Sequence, residues 1–171
     1  MKNENRDTHN RKFTLRKAAE SDLYAVTMLY HAACQMENST WNEYYPTAED
    51  AAADLDAGGL YVYVDGETVI GAVSVAAENE LDELKCWRVR DDRVKEIARV
   101  TISGAYRGLG LAAKMLEELL EILKIQGCSA VHLLAAKCNP AALKTYERLE
   151  FEYLTECEMY GNTYFAGEKE L

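Results

Sequence analysis

One stretch, Val94–Leu123 (VKEIARVTISGAYRGLGLAAKMLEELLEIL), constrains the fold more than any other. Glu96–Ile102 is rich in β-branched residues, and its charges fall two or three apart among apolar neighbours, which predicts a strand. Ser103–Tyr106 reads as a turn, and Arg107–Ala112 holds two glycines. Met115, Leu116, Leu119, Leu120 and Leu123 then recur at the spacing of one apolar helix face, with Gly127 as the stop. The order of strand, glycine loop and helix has a physical use. Free N–H groups and a partial positive charge at a helix start hold phosphate oxygens. Gly108 and Gly110 have no Cβ to keep a ligand off the backbone, and Arg107 adds a cation. The expectation is a site for a phosphate-bearing ligand.

The loop is not a P-loop, because no Gly-Lys-Ser/Thr follows to reach terminal phosphates and Mg²⁺. Nor is it a dinucleotide fingerprint, since Ala113 stands where the third glycine belongs and the strand comes late in the chain. A nucleotide-phosphate enzyme is disfavoured on the same grounds.

Arg107-x-x-Gly110-x-Ala112 resembles the Arg/Gln-x-x-Gly-x-Gly/Ala signature of the GCN5-related N-acetyltransferases (GNAT). The approach Arg99–Ile102 and Ala105–Gly108 is similar to that family's, although Gly104 stands where Pro is common. Asn139–Phe151 (NPAALKTYERLEF) resembles the family's Asn-x-x-Ala-x-x-x-Tyr-x-x-x-Gly-Phe segment, with Glu150 replacing glycine. Leu15–Leu23 is similar to the family's first strand and helix entry. The resemblance runs from about Phe13 to the C-terminus.

From periodicity alone the chain is mixed α and β. The resemblance implies an acyl-CoA N-acyltransferase fold of the α/β (α+β) class. Its sheet would have six to seven mostly antiparallel strands, helices on both faces, and a V-shaped opening between the fourth and fifth strands. It also implies acetyl-CoA as co-substrate. Val100, Thr101 and Ile102 would hold the pantetheine arm as an added strand would be held. The loop Arg107, Gly108, Leu109, Gly110, Leu111 and Ala112 would hold the pyrophosphate. Asn139, Ala142 and Tyr146 complete the expected cofactor set. Glu96 resembles the base of histone-type members, and Tyr146 the acid that protonates the leaving thiolate. A non-catalytic acyl-CoA-binding regulatory domain is the alternative.

The 171 residues suit one domain, expected over 13–171 after a polar, frayed Met1–Lys12. A net charge of −10 argues against a nucleic-acid partner and is compatible with an amine acceptor of small-molecule or peptide type. No apolar run is long enough to span a bilayer, and Met1–Arg6 is no signal peptide. Cys34, Cys86, Cys128, Cys138 and Cys157 are odd in number and lack Cys-x-x-Cys spacing, so neither disulfides nor a metal site is expected, and a cytoplasmic setting is.

In chain order, Phe13–Lys17 reads as a strand, and Glu20 or Ser21 opens a helix to about Met36. Asn38–Thr47 (NSTWNEYYPT) reads as a loop whose Trp41, Tyr44 and Tyr45 are candidate acceptor-pocket residues. Thr47 caps a helix over Ala48–Ala57. Leu60–Val64 and Thr68–Val75 flank a hairpin turn at Asp65-Gly66. Ala77–Asp92 reads as a polar stretch holding Cys86 and Trp87, whose acidic part, Glu78, Glu80, Asp82 and Glu83, reads as a solvated loop or a face toward a cationic substrate. Ala130–Ala135 is a buried strand whose His132 is structural, and His31 is a surface or half-buried residue. Asn139 caps a helix begun by Pro140. Two last strands surround Gly161-Asn162, and their exposed edges allow a homodimer.

Overall fold

A computed structural model describes residues 12–76 and 80–171. The expected frayed stretch Met1–Lys12 lies, except for Lys12, outside the described residues. The strands are β1 (Phe13–Lys17), β2 (Leu60–Asp65), β3 (Thr68–Ala76), β4 (Lys95–Ile102), β5 (Ala130–Ala136), β6 (Glu152–Met159) and β7 (Asn162–Glu170). They form one seven-stranded sheet in the order β1-β2-β3-β4-β5-β7-β6. Every neighbouring pair is antiparallel except β4–β5, which is parallel.

Among the described residues the α-helices are α1 (Leu23–Cys34), α2 (Ala48–Asp56), α3 (Leu111–Ile125) and α4 (Pro140–Arg148). They fall on both faces, and alternation along β2 decides which side chains each helix meets. Leu60, Val62 and Val64 join Val26, Leu29 and Tyr30 of α1 and Ala51 of α2. Tyr61 and Tyr63 face the other way, into a core with Met115, Leu116, Leu119 and Leu123 of α3. Covered on both faces, β2 and β3 read as continuous apolar runs rather than alternating ones.

The expected helix opening at Glu20 or Ser21 begins instead as a 3-10 turn over Glu20–Asp22, and α1 ends at Cys34, short of Met36. The Asp22 carboxylate accepts from the Ala19 N–H at 2.7 Å and binds Arg16 at 2.7 Å, which fixes that entry. Thr47 caps α2 as expected, with Asp50 returning the bond to the Thr47 N–H at 2.7 Å. The larger correction concerns 77–92. Its described part is not merely solvated. Leu81 and Trp87 are buried with Ala166, and the Trp87 ring stacks on His132 with centroids 3.8 Å apart. The charges of the segment hide two apolar anchors that are too far apart to show a period. Among the described residues no helix is long and apolar enough to cross a membrane.

Candidate functional site

The sheet is split at its centre. β4 and β5 pair only through Lys95 with Val131 and Glu96 with His132. Beyond Glu96, residues 97–102 keep β3 on one side and have no strand on the other. The V-shaped opening expected from the resemblance is present. Val100, Thr101 and Ile102 line its β4 side, and Asn139 and Ala142 lie beyond the end of β5 at the start of α4.

At the far end of β4 the glycine loop meets the N-terminus of α3. Gly108 has φ +76° and Gly110 φ +71°, both in the left-handed region that favours glycine. Gly110 is the N-cap of α3 and makes no side-chain cap. The Lys114 N–H is bonded to the Gly110 carbonyl at 3.2 Å, which leaves the N–H groups of Leu111, Ala112 and Ala113 ahead of the helical ladder. By contrast, α2 is capped by Thr47 and α4 by Asn139, whose Oδ1 accepts from the Ala142 N–H at 3.1 Å. A Cβ at Gly108 would meet nothing within 4 Å, so the loop is open to a ligand. Leu111 is buried and Ala112 packs against the same core, so only their backbone can serve a ligand, while Leu109 is 53% exposed. Arg107 is exposed and folds back, its Nε donating to the Ile102 carbonyl at 3.1 Å, which ties the loop to the end of β4.

Glu96 is half-buried and belongs to the last pair before the split, level with Ala76 on one side and His132 on the other. His132 is fully buried, its Nε2 lying 2.9 Å from Glu168 Oε2. That same oxygen accepts from the N–H groups of Arg88 and Val89, both at 3.1 Å. His132 is therefore a structural residue, as its apolar neighbours predict. Tyr146, on α4, is buried with its ring edge against Phe151 at 5.8 Å. Burial, with a smaller contribution from Tyr153, raises its pKa above the ordinary phenol value, so the hydroxyl stays protonated at neutral pH.

The three loop aromatics part company. Trp41 turns inward, edge-on to Tyr30 at 5.7 Å, and packs on the α1 core. Tyr44 is 79% exposed. Tyr45 reaches the sheet, its hydroxyl accepting from Arg99 Nη1 at 2.8 Å. Arg99 sits at a bulge in β4, where Ala72 pairs with Thr101 but Ser74 pairs with Ala98. Its φ of +52° is unusual for a side-chain-bearing residue. Its guanidinium forks onto Asp54 of α2, with Nε to Oδ2 at 2.7 Å and Nη2 to Oδ1 at 2.6 Å. The Ser74 hydroxyl donates to Asp54 Oδ2 as well. Sequence reasoning missed this network. One signal was available: Asp54 follows Ala51 at the i+3 spacing of the helix face turned to the sheet, and a carboxylate there needs a partner. Among the described residues no three His, Cys, Asp or Glu side chains gather as a metal site.

Comparison with known proteins fits this geometry. The model of the Acetyltransferase (GNAT) family matches residues 26–151. Over 82 residues the chain is 29% identical to thialysine N-epsilon-acetyltransferase of Bos taurus, covering 48% of this chain and 46% of that protein. It is 30% identical over the same length to the Sus scrofa protein. The match thus spans about half the length of these curated relatives. A GNAT-family acetyltransferase from Streptococcus agalactiae superposes with TM-score 0.80 at 19% identity, covering 93% of this chain and 95% of that one. The Sinorhizobium meliloti phosphinothricin acetyltransferase, solved in complex with AcCoA, gives TM-score 0.73 at 20% identity, covering 93% and 88%. At such identities the solved structures speak for the fold. The family match itself takes in both sides of the split sheet and the uncapped helix, and on that ground this chain belongs to the acetyltransferase (GNAT) family.

Proposed function

We propose that this protein is an acetyl-CoA-dependent N-acetyltransferase acting on a primary amine of a small molecule or peptide. One observation carries the reading: a helix with no side-chain cap, α3, starts where the gap between β4 and β5 ends. The gap suits an extended pantetheine arm, which residues 100–102 would bond as a strand. The open loop at Gly108 and the leading N–H groups of α3 suit a pyrophosphate. Asn139 and Ala142 would meet the arm from the α4 side.

In this reading Glu96 takes a proton from the acceptor ammonium and frees the nitrogen lone pair. The amine nitrogen then bonds to the thioester carbonyl carbon as the carbon–sulfur bond breaks. Tyr146 donates its phenolic proton to the leaving thiolate and recovers one from the acylated nitrogen. Glu96 returns its proton to solvent. The protonated state of Tyr146 supports the donor role. A single catalytic domain over 13–171 in a cytoplasmic setting belongs to the same reading, supported by the membership of all seven strands in one sheet and by five free cysteines.

Calorimetry with acetyl-CoA, followed by free-thiol release over an amine panel, tests the proposal. Binding with thiol release on at least one amine is expected. Binding without release on any amine would favour the regulatory acyl-CoA-binding alternative. A folded protein that binds no acetyl-CoA would reject the reading of the loop.

A further inference from the structure

Arg99 joins three elements that are far apart in sequence: the β4 bulge that bears it, Asp54 on α2, and Tyr45 in the loop before α2. Its place on the sheet can be read from the register. Glu96 pairs with Ala76, and Ala98 pairs with Ser74, so these residues share one face of the sheet. On that face the Ser74 hydroxyl reaches Asp54, and Asp54 holds Arg99. The Arg99–Asp54–Tyr45 chain therefore stands on the face that carries Glu96, close to the opening of the split.

The chemistry of the chain is directional. Asp54 is buried and the Arg99 side chain is only 14% exposed, so their charges compensate each other out of water. A buried ion pair is weak evidence for stability, because well-packed apolar groups of the same volume often serve as well. What a planar fork gives is orientation. With two arms fixed on Asp54, Nη1 points at the Tyr45 hydroxyl, and the guanidinium carbon lies 5.8 Å from the Tyr45 ring centroid. Tyr45 remains 42% exposed. A fixed, partly exposed aromatic is thus presented on the sheet face that carries the candidate base, whereas Trp41 packs into the core.

We infer that Arg99 is a positioning residue for the acceptor: held by Asp54, it fixes Tyr45 and the 38–47 loop beside the opening of the split, and this contact sets selectivity among amines. The inference rests on the acetyltransferase reading and deepens it on the acceptor side. Because Asp54 already neutralises Arg99, the guanidinium is not a receptor for an acceptor carboxylate. The surface it builds suits an amine with an apolar or cationic stem against the Tyr45 ring.

The test uses the full chain. Tyr45→Phe removes one hydrogen bond and keeps the ring. Arg99→Lys keeps the charge and loses the fork. For Tyr45→Phe, the KM of the best amine in the panel should rise about tenfold, the loss of one charge-assisted bond, with kcat and acetyl-CoA affinity held within about twofold. Arg99→Lys should raise it further and change the ranking of slim against bulky amines. A folded Tyr45→Phe protein with wild-type KM and amine ranking would overturn the inference and leave the acetyltransferase reading intact. A shift confined to acetyl-CoA affinity would overturn it too. A wild-type protein that neither binds acetyl-CoA nor releases thiol would remove the reading itself, and this inference with it.

Discussion

Tyr146 and Glu96 stand on different elements, one on α4 and one on β4, and burial keeps the tyrosine protonated at neutral pH. A phenol held above its ordinary pKa keeps its proton at neutral pH, so the proton is in place for a leaving thiolate, although burial also makes the phenol the weaker acid. Tyr146→Phe should lower kcat by about 10²-fold or more while acetyl-CoA affinity holds, measured by thiol release and calorimetry. Glu96→Gln should cost a similar factor at saturating amine, and raising the pH should recover part of it as the amine deprotonates unaided. A flat pH profile with the wild-type rate would remove Glu96 from the mechanism. Both residues were proposed from the sequence by resemblance, Tyr146 within the Asn139–Phe151 segment and Glu96 by its place on the central strand. Arg99 and Asp54 were not, because 45 residues separate them, and the inward place of Asp54 on α2 signals that it needs a partner without saying which.

The start of each helix shows why some elements could be read in advance and others could not. Thr47, Asn139 and Pro140 are local signals, and α2 and α4 begin where they predict. The 3-10 entry to α1 depends instead on the Arg16–Asp22 pair, and the burial of Leu81 and Trp87 depends on β7, so neither follows from local pattern. Capping also separates stability from ligand binding. Asn139→Ala should cost about 1 kcal/mol, or about 3 °C in Tm, through the lost bond to the Ala142 N–H. Gly110→Ala should cost a comparable amount, because φ +71° is strained for any residue with a Cβ. It should also weaken acetyl-CoA binding in calorimetry, since the new Cβ stands at the start of α3. The same loss of Tm with unchanged affinity would show that the glycine serves the turn alone.

At the scale of the molecule, the C-terminal strands and the 80–92 segment are gathered around one buried histidine. Burial lowers the pKa of His132 below its ordinary 6.5, and Glu168 only partly opposes this. The unfolded chain therefore takes up a proton at a higher pH than the folded one does. The stability this residue contributes is complete above pH 6.5 and is lost as pH falls through the folded value. Tm followed downward from about pH 8 to about pH 5 should fall, and His132→Gln should flatten the acid limb of that curve. The mostly antiparallel sheet and its opening between the fourth and fifth strands were accessible through the family resemblance, whereas the His132–Glu168 clasp required the tertiary structure. The split has one more consequence. Because α3 packs across it while only two residue pairs bridge it, its two halves are held by side chains more than by backbone. The sheet is a ladder with rungs missing, and whatever fills the gap supplies them. Amides of residues 97–102 should then exchange with solvent slowly or quickly according to occupancy, so that the melting temperature becomes a gauge of how full the gap is.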